Sequence, residues 1–252
     1  MKTKEELKLY FENGDIPRQE DFWEWQNSYW HKDEKIDARK VSGLENGTFN
    51  ILYAEMDKDK NASIDFFLKR KIIIPPGTLR IPNYFTSGVV ITDVEIPHGI
   101  VGIGENAFSS SQLTSITIPD TVTEIQRLAF TSNKLTSLRL PENLSAIGYG
   151  AFSGNEISDL QLPKKLKVIE DALFSSNKLT SVIIPNEVTE IKNYAFGNNL
   201  ITSVHIPNSV LNIEPGAFSG NKLTEVVLGE NTKYYMYSFD PEVQVTGGQL
   251  IN

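Results

Sequence analysis

The sequence predicts a solenoid of short parallel strands with little helix, preceded by a small N-terminal helical hairpin. Two observations carry this: an interval of 22 residues that recurs without a slip over more than half of the chain, and a non-repeating aromatic segment ahead of it. Phe108, Phe130, Phe152, Phe174, Phe196 and Phe218 hold the interval, each after Ala except Phe174, which follows Leu173. Pro97, Pro119, Pro141, Pro163, Pro185 and Pro207 hold it too, as do Asn133, Asn155, Asn177, Asn199 and Asn221, with Ser111 one period earlier. A turn of this length cannot bury its own apolar face. Stacked turns can, and any change in length would break the register of every column.

The columns have distinct structural roles. In Leu113-Thr-Ser-Ile116-Thr117-Ile118 the isoleucines alternate with Thr117, so they point inward and Thr117 outward, and neighbouring turns should pair there as parallel strands. Proline cannot donate to the ladder and ends each strand. The Val122 and Ile125 columns should line the opposite inner wall. The Ala-Phe pair suits a tight bend plugged by an aromatic ring. The Asn amides should bond backbone groups left unpaired at the bend before the next strand, as a stacked ladder.

The unit Pro-x-x-Val-Thr-x-Ile-x-x-x-Ala-Phe-x-x-Asn-x-Leu-Thr-Ser-Val-x-Ile-Pro closely resembles the BspA-like leucine-rich repeats, across about residues 75–228. That resemblance implies a leucine-rich repeat solenoid used for adhesion or protein binding at the surface of bacterial cells or outside them, without enzymatic activity. It names no ligand.

Both ends of the array diverge. Residues 72–96 read as a degraded first turn, in which Pro75 keeps the period and Phe85 comes one residue early. Residues 229–252 read as a C-terminal cap: Gly229 replaces the proline, Tyr234, Tyr235, Tyr237 and Phe239 crowd the Ala-Phe position, and Val243 and Val245 lie on a last short strand.

Residues 1–40 lack the repeat. Thr3 and Glu6 make a capping box, followed by Leu7, Tyr10 and Phe11 at helical spacing. Pro17 opens a second helix carrying Phe22, Trp23, Trp25, Tyr29 and Trp30. A two-helix hairpin is too small to bury them alone. They either pack on the first turn or form an oligomer or docking interface. The run from Lys4 through Asp15-Ile-Pro17 to Phe22, then Ser28-Tyr-Trp-His31-Lys-Asp33 and Val41-Ser-Gly-Leu-Glu45, is similar to N-terminal modules of phage-tail-like or prophage-encoded proteins of gut bacteria. This implies attachment to a larger assembly. Residues 41–71 form a linker, with a hairpin expected around Lys58-Asp59-Lys60-Asn61.

Composition narrows the function. The net charge of −8 disfavours nucleic acid or an anionic membrane, which select clustered Lys and Arg. With no cysteine there is no disulfide, thiolate metal site or Cys nucleophile. No apolar stretch is long enough to span a bilayer, and the segment Met1–Leu7 has no apolar core of a secretory signal. A virion-associated or cytoplasmic location is therefore the alternative to the cell surface.

The short motifs in the chain are weak. Asp57-x-Asp59-x-Asn61-x-Ser63-x-Asp65 starts like an EF-hand loop, but Ala62 and Leu68 stand where Gly and Glu are required, so it reads as a polar turn. Gly102-Ile-Gly104-Glu-Asn-Ala107 imitates a dinucleotide fingerprint but occupies a repeat bend. His31, His98 and His205 have no neighbours at metal-ligand spacing, and no Gly-x-Ser-x-Gly occurs. No cofactor or metal is expected, and no catalytic residue.

The remaining candidate is the outward strand face. One outward column reads Glu95, Thr117, Arg139, Gln161, Ile183, His205 and Val227, and its partner reads Asp93, Ser115, Ser137, Asp159, Ser181, Ser203 and Glu225. The inward columns repeat while the first outward column varies, so packing does not dictate it. Glu95, Thr117, Arg139, Gln161, Ile183, His205 and Asp159 are the candidate residues for a protein or glycan ligand. The alternative is a structural assembly subunit that oligomerises through residues 1–40.

Overall fold

In the computed structural model, residues 71–74, 77–88 and 90–251 are described. The N-terminal hairpin with Phe22, Trp23, Trp25, Tyr29 and Trp30, the hairpin near Lys58 and the EF-hand-like run lie outside the described residues. All elements among the described residues are strands of two or three residues, and every pairing is parallel. One turn can be followed from Ser137. The outer strand Ser137–Arg139 is followed by inward Leu140 and Pro141. The carbonyl of Pro141 accepts from Leu144 N at 3.2 Å, closing a turn that redirects the chain into the wall strand Ala146–Ile147. The Ala151-Phe152 bend and Asn155 then lead to the next outer strand, Asp159–Gln161. The same turn recurs at Pro97, Pro119, Pro163, Pro185 and Pro207, and at Gly229, whose carbonyl accepts from Thr232 N at 3.0 Å. Gly229 thus loses the proline but keeps the turn.

The core is a set of stacked columns. Phe108, Phe130, Phe152, Phe174, Phe196 and Phe218 are fully buried, and consecutive rings stack with centroids 5.2–6.0 Å apart and planes within 19°. Each plug therefore also serves as floor and ceiling for its neighbours. Phe85, arriving one residue early, is only half-buried and meets Phe108 edge-on at 84°. At the other end Phe239 continues the stack on Phe218 at 5.5 Å and 7°.

The ladders fall differently from the sequence expectation. The longer ones belong to the wall. Arg80–Ile81, Gly102–Ile103, Glu124–Ile125 and Ala146–Ile147 form one sheet of four strands. Val168–Ile169, Glu190–Ile191, Asn212–Ile213, Lys233–Tyr235 and Gln249–Ile251 form another of five. The outer strands pair only in twos: Lys71–Ile73 with Asp93–Glu95, Ser137–Arg139 with Asp159–Gln161, Ser181–Ile183 with Ser203–His205, and Glu225–Val227 with Gln244–Thr246. Ser115–Thr117 joins no ladder, although Ile118 is buried and Thr117 exposed as expected. Ring stacking spaces the turns wider than the roughly 4.8 Å of a strand ladder. Pairing in twos reconciles the two spacings on the outer face.

The gap between the two wall sheets coincides with Leu173. It is the buried residue that replaces Ala before Phe174, and Phe152–Phe174 is the widest ring spacing at 6.0 Å. The bond from Phe152 N to Leu173 O, 3.1 Å, is longer than its counterparts in the neighbouring turns, such as Phe130 N to Ala151 O at 2.8 Å. The larger side chain wedges the turns apart. Leu→Ala in a core costs about 2–5 kcal/mol because it leaves a cavity. At Leu173 the turns can close into that cavity, so Leu173→Ala is expected to cost at least about 1 kcal/mol less than Leu179→Ala, also fully buried. Paired thermal melts check this.

Two columns in each bend sit in the left-handed region: Tyr84, Asn106, Leu128, Gly150, Ala172, Tyr194 and Gly216 at φ 50–73°, and Ser110, Ser132, Gly154, Ser176, Asn198 and Gly220 at φ 53–72°. No β-branched residue occupies either column, as the steric cost of that region requires. Gly148 is needed for a different reason, because a side chain there would meet the Arg127 backbone nitrogen at 2.4 Å.

The cap tapers. Asn212 sits beside Lys233, Glu225 beside Gln244 and Lys233 beside Gln249, intervals of 21, 19 and 16 residues. Val245 lies on a strand as expected and Val243 just before it, but the last strand is Gln249–Ile251. Asp240 closes the final bend, its carboxylate accepting from Gly220 N at 2.9 Å and Asn221 N at 3.2 Å.

Candidate ligand-binding face

The outer strands start where the Asn column fixes the chain. Asn177 Oδ1 accepts from Ile157 N of the preceding turn at 3.0 Å, while its Nδ2 donates to Phe152 O at 3.0 Å and Phe174 O at 3.1 Å. Asn133, Asn155, Asn199 and Asn221 repeat this arrangement. The expected ladder is therefore present, and each amide ties two successive Phe bends together. In the earlier turn Ser111 takes the place of Asn, its hydroxyl donating to Thr86 O at 3.0 Å.

From these fixed bends the strands present both outward columns to solvent. Asp93, Ser115, Ser137, Asp159, Ser181, Ser203 and Glu225 are exposed, as are Glu95, Thr117, Arg139, Gln161, Ile183, His205 and Val227. The structure brings Arg139 beside Gln161 and Ile183 beside His205 in register. Thr117 lies on the same face but in no ladder. Ile183 is 86% exposed and Val227 67%, an unusual placement for side chains whose exposure gains nothing in packing. The face is wider than the two columns expected from the sequence. Thr114, Thr136, Ser158, Thr180, Thr202 and Thr224, which lead into the strands, are all exposed and add hydroxyls to it. Their recurrence at the period was the available signal.

The ion pairs involve none of the outward-column residues and link different turns. Arg127 Nη2 meets Glu105 Oε1 at 2.8 Å, and Tyr84 donates its hydroxyl to the same oxygen at 2.8 Å. Arg127, then Tyr84, hold the Glu105 carboxyl below its usual range, while Glu105 pushes the Tyr84 hydroxyl up. Lys178 lowers Glu156, and Glu170 raises Lys192, across single turns. Arg80 reaches Glu124 two turns away, its guanidinium lying over Gly102, where no side chain blocks it. The Gly102–Gly104 run is thus a wall strand and its exit, as the repeat period requires. By contrast Arg139, Asp159 and Glu225 make no ion pair among the described residues. No group of His, Asp or Glu side chains suited to a metal ion comes together among the described residues, and no helix among them is long and apolar enough to cross a membrane.

Stacked 22-residue turns with Asn ladders, Phe plugs and parallel outer strands define a leucine-rich repeat solenoid. The profile of the BspA type leucine rich repeat region, in six copies, matches residues 68–179 and 167–241, well over half of the chain, and the chain belongs to this family. No curated protein matches it. Among solved structures, a leucine-rich repeat protein from Bacteroides ovatus is 23% identical, with 70% of this chain and 51% of that one covered and a TM-score of 0.57. Others from Eubacterium ventriosum (16% identity, 71% of this chain and 60% of that one, TM-score 0.49) and T. pallidum (24%, 73% and 84%, 0.42) score too low to bear on the fold. The chain spans about half the length of the Bacteroides ovatus protein. Nothing among these matches supports the phage-tail-like resemblance of the N-terminal segment.

Proposed function

We propose that this chain is a non-enzymatic binding module whose outward strand face contacts a protein or glycan ligand at the cell surface. The observation that carries the reading is the division of labour between columns: fourteen outward positions on seven successive turns are all exposed, while the residues between them on the same strands point into the core. Such a face is free to vary without cost to the fold, which is how repeat scaffolds present ligand surfaces. The family generally serves as a binding scaffold and is typically surface-associated in bacteria. Exposed Ile183 and Val227 provide apolar contact area, and unpaired Arg139 and Asp159 provide charge.

On protein and glycan arrays, the full chain is expected to mark specific spots. Arg139→Glu combined with Ile183→Asp should abolish those signals while the melting temperature stays unchanged. Signals that survive both substitutions would place the ligand surface elsewhere.

A further inference from the structure

We infer that the strand face takes an extended peptide segment in which one apolar side chain stands between two cationic ones, seated over Ile183 and His205. This rests on the reading of that face as the ligand surface and names the ligand's chemistry. On the turns from Asp159 to Glu225, the outward columns otherwise carry only Gln161, Ser181, Ile183, Ser203, His205 and Val227. Thr180 and Thr202 extend this floor, in which no Asp, Glu, Lys or Arg stands between the two carboxylates. Ser181 and Ser203 are exposed, and their hydroxyls are available to a peptide backbone. Ile183 is the most exposed large apolar side chain on this floor. Neither outward column carries Phe, Tyr or Trp, the rings that best stack on a sugar, so a protein segment is the better occupant.

The charges set the spacing. Asp159 and Glu225 share one column three turns apart, about 17 Å along the ring stack, whose spacings over these turns are 6.0, 5.7 and 5.3 Å. An extended peptide rising about 3.4 Å per residue places side chains i and i+4 roughly 14 Å apart on one face, with i+2 midway between them. A Lys-x-Leu-x-Lys segment laid across the strands between the two outward columns meets both carboxylates through its long lysine stems, which take up the remaining few ångströms, with its leucine over Ser181 and Ser203 and beside Ile183 and His205. Arg139, one turn beyond Asp159, repels a further cation and limits the register. The net charge of −8 favours the approach of a basic segment.

The test titrates a fluorescein-labelled Gly-Lys-Thr-Leu-Thr-Lys-Gly peptide with the full chain, following anisotropy. Binding is expected to weaken about ten-fold or more when both lysines become glutamates, when leucine becomes serine, and with salt raised from about 50 to about 500 mM. Ile183→Ser, and Asp159→Asn with Glu225→Gln, should weaken it comparably. Absence of binding, or equal binding of the acidic and basic peptides, overturns the inference. If instead a neutral glycan on an array is bound and lost with Ile183→Ser, the face remains a ligand surface and the peptide assignment is wrong. If neither peptide, protein nor glycan binding depends on this face, the broader reading falls as well.

Discussion

Phe152→Ala is expected to destabilise the solenoid by about 3–5 kcal/mol, the cost of removing a fully buried aromatic ring. The ring is stacked between Phe130 at 5.3 Å and Phe174 at 6.0 Å, so its loss empties one storey of a continuous column. Two features make the site sensitive. It adjoins the wedge at Leu173, where the wall ladder is already interrupted, and a solenoid turn is held only by its neighbours. A defect here should divide the array, so the melting curve should fall by roughly 10 °C and broaden or split. Phe85→Ala serves as the comparison: that ring is half-buried and edge-on at the end of the stack, and its loss should cost clearly less. Equal losses at both sites would show that the stack is not the spine of the fold.

Asn177→Asp should cost nearly as much, about 3–5 kcal/mol at neutral pH, although it changes one atom of the side chain. Its acceptor oxygen for Ile157 N survives, but the donor to Phe152 O and Phe174 O is replaced by a carboxylate facing those carbonyls. Facing acceptors disfavour the ionised form, so the folded state raises the pKa of the introduced Asp. A group with a raised folded pKa contributes its stability at low pH and loses it as pH rises through that value. The deficit relative to the native chain should therefore be smallest in acid, grow as pH rises towards that value and level off above it. Asn177→Ala leaves the same backbone groups unpaired, with no titrating group, and its deficit should not depend on pH. Melts of the three proteins between about pH 4 and about pH 8 separate these outcomes. A pH-independent deficit for Asn177→Asp would contradict the ladder as described.

Much of this fold was legible in the sequence because the period is strict. The Phe, Pro and Asn columns each do one physical job in every turn, and the structure finds the Phe rings buried, the prolines opening turns and the amides bonding orphaned backbone. What stayed hidden concerns spacing rather than pattern. Which face carries the longer ladder depends on the difference between ring stacking and strand pairing, and no column of residues encodes that difference. The left-handed columns were partly visible in Gly150, Gly154, Gly216 and Gly220, but Tyr84, Leu128 and Tyr194 masked them. Leu173 was visible as an exception, while its consequence, the parted wall sheets, emerges only from the packing of adjacent turns. The outward residues are all exposed as expected, because alternation along a three-residue strand leaves no other place for them.

Fold and recognition, on this view, reside in different columns of the same strands. The most direct test replaces Arg139, Gln161, Ile183 and His205 together by serine in the full chain, then measures melting temperature and array binding side by side. An unchanged melting temperature with lost binding is the expected result. Retained binding, or a chain that no longer folds, would contradict the separation.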